Sequence, residues 1–213
     1  VYLHLFDQAG LPLGRARERK LEHALLQGEV RRTRSGQVGR LRQSDLSPEL
    51  WARELVELAG LRRPALRRVT AAVGDATPED RALRWALSAL GCRLEKSWRP
   101  GIIAFQAQRG GFFLTAQDER GAVVDPGQLL ALTALTEMEN GCGKVAVPPG
   151  ASAAVELVAA GYGGTVLRLD RDGDQARTLY AAQPWMRQAP AAALRICARM
   201  AVSGQKMESL VSK

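Results

Sequence analysis

Apolar and polar residues alternate over residues 1–6 with β-branched and aromatic types among them, which predicts a strand, and Asp7-Gln8-Ala9-Gly10 supplies the turn that follows. Leu21, Ala24 and Leu25 recur at helical spacing among charges, so 14–26 reads as a helix that Gly28 ends. Residues 29–44 are rich in Arg, Gly and Gln without a period and predict an extended connection. Ser47-Pro48-Glu49 then sets a cap residue and a proline at the head of a helix with Leu50, Trp51, Leu55 and Leu58 as its stripe, stopped by Gly60. Residues 61–64 hold two arginines and a proline and mark a boundary.

Beyond it, 67–73 has the β-branched centre of a strand. Thr77-Pro78-Glu79-Asp80 opens a helix packed through Leu83, Ala86, Leu87 and Leu90 and closed by Gly91, and 92–95 is a short strand. Periodicity leaves 102–108 open between helix and strand. Residues 112–116 and 122–124, joined by Asp118-Glu119-Arg120-Gly121, read as a hairpin. Asp125-Pro126-Gly127-Gln128 is a capping box before a helix with Leu129, Leu130, Leu132 and Leu135. A strand at 144–147, a helix from Ser152 to residue 160 and a strand at 165–169 follow. A helix through Leu194, Ile196, Cys197, Met200 and Ala201 and a short one at 207–211 end the pattern. Strands separated by helices of this length imply an α/β fold, with helices packed on both faces of a mixed or largely parallel sheet.

Apolar residues make up 46% of the 213, enough for a core. No apolar run approaches the roughly 18 residues a membrane span needs, and residues 1–6 lack the features of a signal peptide, so the expectation is a cytoplasmic protein without a membrane partner. Cys92, Cys142 and Cys197 are odd in number and far apart, which argues for buried free thiols over disulfides or a zinc site. The net charge of +8 lies mostly in residues 1–100, where 19 Lys and Arg face 12 Asp and Glu. A nucleic-acid-binding module would carry such an excess. Here arginines such as Arg15, Arg17, Arg19, Arg53, Arg81 and Arg84 are scattered over helices with little aromatic interleaving, which favours solvated faces and no nucleic-acid partner.

Candidate chemistry is thin. Asp170-Arg171-Asp172-Gly173-Asp174 has the look of a cation loop but lacks a terminal Glu and carries an arginine, so it reads as a polar turn. His4 and His23 have no paired Ser or Cys nearby. Ser152 at a helix start could donate to a phosphate, yet capping alone accounts for it. Gly161-Tyr162-Gly163-Gly164 lies between helix and strand, the wrong order for a dinucleotide loop, and reads as a helix stop.

Three blocks, VYLHLFDQAGLPLGRARERKLEHAL, FFLTAQDERGAVVDPGQLLALTAL and KVAVPPGASAAVELVAAGYGGTVLRL, resemble the phosphohexomutases, the phosphoglucomutase and phosphomannomutase family. The first is similar to the strand, turn and helix that follow that family's phosphoserine loop, the second to the hairpin leading into its third domain, and the third to that domain's strand, helix and strand. The resemblance comes nearest to the phosphomannomutase-like segment behind a sugar-nucleotide transferase in bacterial mannose-1-phosphate guanylyltransferases. It implies mixed sheets covered by helices and three segments: 1–61 as the end of a first domain, 62–122 as a second and 123–213 as a third.

The family moves a phosphoryl group between a serine and two sugar positions with the help of Mg²⁺. A TASHNP-like serine loop would precede Val1; the first serine present is Ser35. A DGDGDR-like metal loop would lie shortly before Asp118, yet residues 96–117 contain no Asp or Glu, and the sugar-binding loop expected after residue 169 is replaced by DRDGDQARTLYAAQ. The phosphate-binding fourth domain would follow Lys213. The resemblance therefore implies a catalytically degenerate module with no catalytic, cofactor or metal residues of its own. Its implied partners are a sugar phosphate, a linked sugar nucleotidyltransferase domain and further copies of itself. The alternatives are the middle of an active mutase and, third, a basic nucleic-acid-binding module.

Overall fold

The computed structural model describes residues 5–8, 10, 11, 13–28, 36, 47–61, 65–108, 111 and 113–212. Its contacts divide the chain into two units, Val1–Ser44 and Asp45–Lys213. In the first, Asp7 organises a tight turn: its carbonyl accepts Gly10 N at 3.0 Å, its Oδ1 accepts Leu11 N at 3.0 Å, and Gly10 takes φ 69°. Helix α1, Arg15–Leu26, follows and is ended by Gly28 at φ 68°. Residues 1–4 of the expected opening strand and most of the expected connection at 29–44 lie outside the described residues; Phe6 forms an isolated bridge.

The second unit begins with α2, Ser47–Ala59, whose Ala52 and Leu55 are buried. That apolar stripe enters the core of the second unit, where α2 packs against the helices that follow. Strand β1, Thr70–Val73, leads through α3, Pro78–Ala89, to β2, Arg93–Glu95; β3, Ile103–Ala107, β4, Leu114–Gln117, and β5, Val123–Val124, complete a sheet in the order β2-β1-β3-β4-β5. The first three strands are parallel and the last two antiparallel. Residues 103–107 are thus strand, the choice that sequence periodicity left open, with Ile103, Phe105 and Ala107 buried.

Helix α4, Pro126–Glu139, carries the reciprocal capping box of Asp125 and Gln128 and leads to β6, Lys144–Val147. Helix α5, Ala154–Gly161, joins β6 to β7, Thr165–Arg168, as a parallel pair. Helix α6, Gly173–Ala182, a 3₁₀ turn at Pro184–Met186, α7, Ala189–Ser203, and α8, Met207–Val211, follow. Gly164 closes the turn before β7 and lies so near α4 that a Cβ there would be 2.6 Å from Met138 Sδ.

The core shows how the five-stranded sheet is covered. Ala71, Val73, Ile103, Phe105, Leu114, Ala116 and Val124 share one cluster with buried residues of α2, α3, α4 and α7. The intervening positions, Gln106, Thr115 and Gln117 with Phe113 and Val123, are exposed or half-buried. Among the described residues these helices cover the face that Ala71, Val73, Ile103 and Phe105 present, while on the other face Ala72 of β1 is buried too. The alternation in β3 and β4 is that of a sheet with one solvated side.

Part of each edge of the β6–β7 pair is occupied. Gln183, 3% exposed, donates from Nε2 to Lys144 O at 2.9 Å and accepts Ala146 N at 3.0 Å along the outer side of β6. On β7, Arg168 N donates to Asp172 Oδ2 at 2.6 Å and Arg168 O accepts Arg171 N and Asp172 N at 3.0 and 2.9 Å. Side chain and turn here do what a further strand would do, which blunts the edges against pairing. No helix among the described residues is long and apolar enough to cross a membrane.

Candidate functional site

In an open sheet with parallel strands, the crevice outside the carboxyl ends of the strands, where successive connections leave to opposite sides, is the general ligand position. Here that place lies between β1 and β3, since β2 flanks β1 on one side and β3 on the other. It is built from the turn after Val73, the start of α3 and the loop after Ala107. Thr77 Oγ1 caps α3 by accepting Asp80 N at 3.1 Å. Asp80, 3% exposed, reaches across to accept Ala107 N at 3.1 Å and so ties the head of α3 to the end of β3. Arg84, one turn further, donates from Nη1 to Val73 O at 2.6 Å and to Glu95 O at 3.1 Å, which puts a guanidinium across the ends of β1 and β2.

The far wall comes from α2 and α7. Gly111, at φ 71°, sits under Trp51: a Cβ there would be 3.0 Å from Trp51 Cη2. Its carbonyl accepts Ala189 N at 2.6 Å, and Trp51 Nε1 faces Gln188 Oε1 at 3.5 Å. Asp80 and Arg84 thus hold backbone. Neither Asp80 nor Arg84 was singled out for this place by the sequence, which set Arg84 among solvated arginines; a capping box shows Asp80's local role but not its reach to residue 107.

The Mg²⁺ that the resemblance implies does not fit this crevice. A hard divalent cation needs several oxygen ligands with carboxylates to balance its charge. The stretch 96–117 supplies no carboxylate, and one oxygen of Asp80 is engaged by Ala107. Among the described residues no three His, Cys, Asp or Glu side chains form a set that could hold a metal.

The hairpin turn Asp118-Glu119-Arg120-Gly121 serves structure. Asp118 Oδ1 accepts Arg120 N and Ala122 N, both at 2.9 Å, and Asp118 O accepts Trp98 Nε1 at 2.9 Å. Glu119, 7% exposed, accepts Met207 N at 2.9 Å and Glu208 N at 3.2 Å, capping α8 from a distant part of the chain, and Arg120 pairs with Glu208 at 2.5 Å.

The remaining sequence candidates separate. Asp172 and its neighbours form a turn that runs into α6, a helix the sequence reading missed because its acidic head reads as turn and its apolar residues are sparse. Ser152 Oγ accepts Ala154 N at 3.2 Å at the start of α5, and Arg168 holds the preceding loop through Pro149 O, Ala151 O and Glu156. His23 is exposed on α1 and His4 lies outside the described residues. Cys92 and Cys197 are buried and free; burial pushes Cys92 up to about 11 and Cys197 well above its ordinary value, so neither presents a thiolate near neutral pH. Cys142 is only partly buried. Burial likewise raises Tyr180 to about 12 against the opposing charge of Arg187.

Charged pairs concentrate between α4 and α7. Glu137 and Arg195 lie 3.0 Å apart with little exposure, Arg195 stacks on Trp185 at 4.1 Å from the ring centroid, and Glu139 pairs with Arg199. This cluster joins two helices and opens onto no crevice described above.

Fold and sheet order define a mixed α/β protein. Two solved structures share the fold. A putative phosphomannomutase from Thermus thermophilus matches with a TM-score of 0.68 and 14% identity over 97% of this chain and 57% of that one. A phosphoglucomutase/phosphomannomutase family protein from Burkholderia thailandensis matches with a TM-score of 0.60 and 14% identity over 89% of this chain and 50% of that one. The chain thus spans half or a little more of the length of these neighbours, and likeness at this identity shows the fold alone. The chain matches no family model and no curated protein sequence.

Proposed function

We propose that this chain is a catalytically degenerate phosphohexomutase-like module of sugar-phosphate or nucleotide-sugar metabolism, which binds or assembles and does not turn over. The observation that carries the reading is the β1–β3 crevice: its approach from 96 to 117 has no carboxylate, and its buried Asp80 is spent on Ala107 N. Phosphoryl transfer needs a nucleophile, charge neutralisation and sugar-holding donors, and the stretches expected to supply the last two carry other residues. In this reading the module acts in the cytoplasm, associates with itself, and accompanies a sugar nucleotidyltransferase domain on a longer chain.

Two measurements test it. Purified protein given Mg²⁺ and glucose 1,6-bisphosphate should leave mannose 1-phosphate unconverted; turnover above a buffer control and abolished by EDTA would overturn the proposal. Calorimetric titration with mannose 1-phosphate, glucose 1-phosphate and GDP-mannose separates the two noncatalytic roles, since heat from any of them supports binding and its absence leaves assembly. The second reading, a middle portion of an active mutase, is favoured by the coverage of 50% and 57% of the neighbouring structures. A serine loop in the gene upstream of Val1 would establish it.

A further inference from the structure

The association in that proposal needs a face. Gln183 and the Asp172 turn occupy part of each edge of the β6–β7 pair, and the outer strands of the five-stranded sheet have only three and two residues. Among the described residues a groove of about 590 Å³ lies between α2 and α3. Its floor is apolar, with Val56 and Ala89, and Trp85 of α3 stands at its side with 44% of its surface exposed. Its rim is charged with both signs. Glu49 and Arg53 pair at 2.8 Å along α2 with the Arg53 side chain 70% exposed, and Glu57 lies one turn beyond.

We propose that this groove is the interface of a two-fold homodimer, in which Trp85 of each copy fills the groove of the other; the inference rests on the assembly reading above. A two-fold contact brings one patch against itself, so it must be self-complementary: an element that protrudes must meet its own recess, and each charge its opposite. The α2–α3 face has both properties. A large half-exposed indole flanks an apolar hollow, and a cation and an anion sit one helical turn apart on the same rim. In an antiparallel α2–α2 arrangement, Arg53 of one copy meets Glu57 of the other, and the reverse pair forms by symmetry. Indoles buried in apolar pockets within a charged rim are the usual energetic centres of protein interfaces.

Sedimentation of the purified chain as a concentration series tests the inference. Wild type should form a dimer at micromolar concentrations, and Trp85→Ala should weaken it at least about tenfold while the thermal transition of the monomer is retained. Arg53→Glu and Glu57→Arg should each weaken the dimer, and the double variant R53E/E57R should recover it, because both inter-copy pairs are then reversed together. Recovery in the double variant is a result that loss of folding cannot mimic. A wild-type dimer indifferent to Trp85→Ala and to both reversals would sink this interface and leave the assembly reading standing. A wild-type monomer at every concentration would overturn both.

Discussion

The side-chain carbonyl of Gln183 accepts the N–H of Ala146 at 3.0 Å across 37 residues of chain, while its amide donates to Lys144 O. One side chain meets two of the polar groups that β6 turns away from β7. Replacing it with an apolar side chain of similar size, Gln183→Leu, leaves the buried donor Ala146 N without its partner, while Lys144 O keeps Cys142 Sγ, and should cost about 1–3 kcal/mol. Denaturant unfolding of the variant checks this, and an unchanged midpoint would show that water reaches that edge.

Glu119 serves α8 as Gln183 serves β6. Its carboxylate receives two first-turn amides, Met207 N and Glu208 N, in a position from which a negative charge also favours the helix. Glu119→Ala should destabilise by about 1–2 kcal/mol. Amide hydrogen exchange should show the loss first at Met207 and Glu208; protection there equal to wild type would contradict the capping role.

Gly121 and Gly101 both have positive φ, 88° and 91°, but different surroundings. Nothing lies within 4 Å of a Cβ on Gly101, whereas one on Gly121 would meet Trp98 at 2.9 Å. Gly101→Ala should therefore carry backbone strain alone, about 1 kcal/mol, and Gly121→Ala about 2–3 kcal/mol as the indole is displaced from Asp118 O. Paired thermal melts compare them, and equal shifts would show that Trp98 yields freely.

Burial raises the carboxyl of Glu137 above its ordinary value of 4.5, with Arg195 opposing the shift. The folded state thus holds this proton more tightly than the unfolded state. The corresponding stability is fully present below 4.5 and is lost as pH rises through the raised folded value. The stability of wild type relative to Glu137→Gln should accordingly fall as pH rises above 4.5 and then level off. A difference that grows with pH over that window would show that the pairing with Arg195 outweighs burial.

What was legible in the sequence follows from locality. The N-cap at Thr77, the capping box at Asp125, the hairpin turn at Asp118 and the glycine stops all act within a few residues, so their residue types announce them. The helix α6 was hidden because only Ala176 and Tyr180 are buried along it, too few to mark a stripe. The reach of Asp80, Gln183 and Glu119 depends on partners 27, 37 and 88 residues away, which periodicity does not report. At the crevice, the residue types absent from 96–117 were legible, whereas the engagement of Asp80 and Arg84 with strand ends was not.

The attachment of α8 also sets an order of events during synthesis. Met207 is wholly buried, and the N–H it gives to Glu119 comes from a residue made 88 positions later. At ribosomal rates that interval is roughly 4–18 s, long after a hairpin could form. Through that time the nascent hairpin holds an acidic side chain with no helix to receive it and a socket with no methionine to fill it. Closure of this end of the fold therefore waits on the emergence of a single residue.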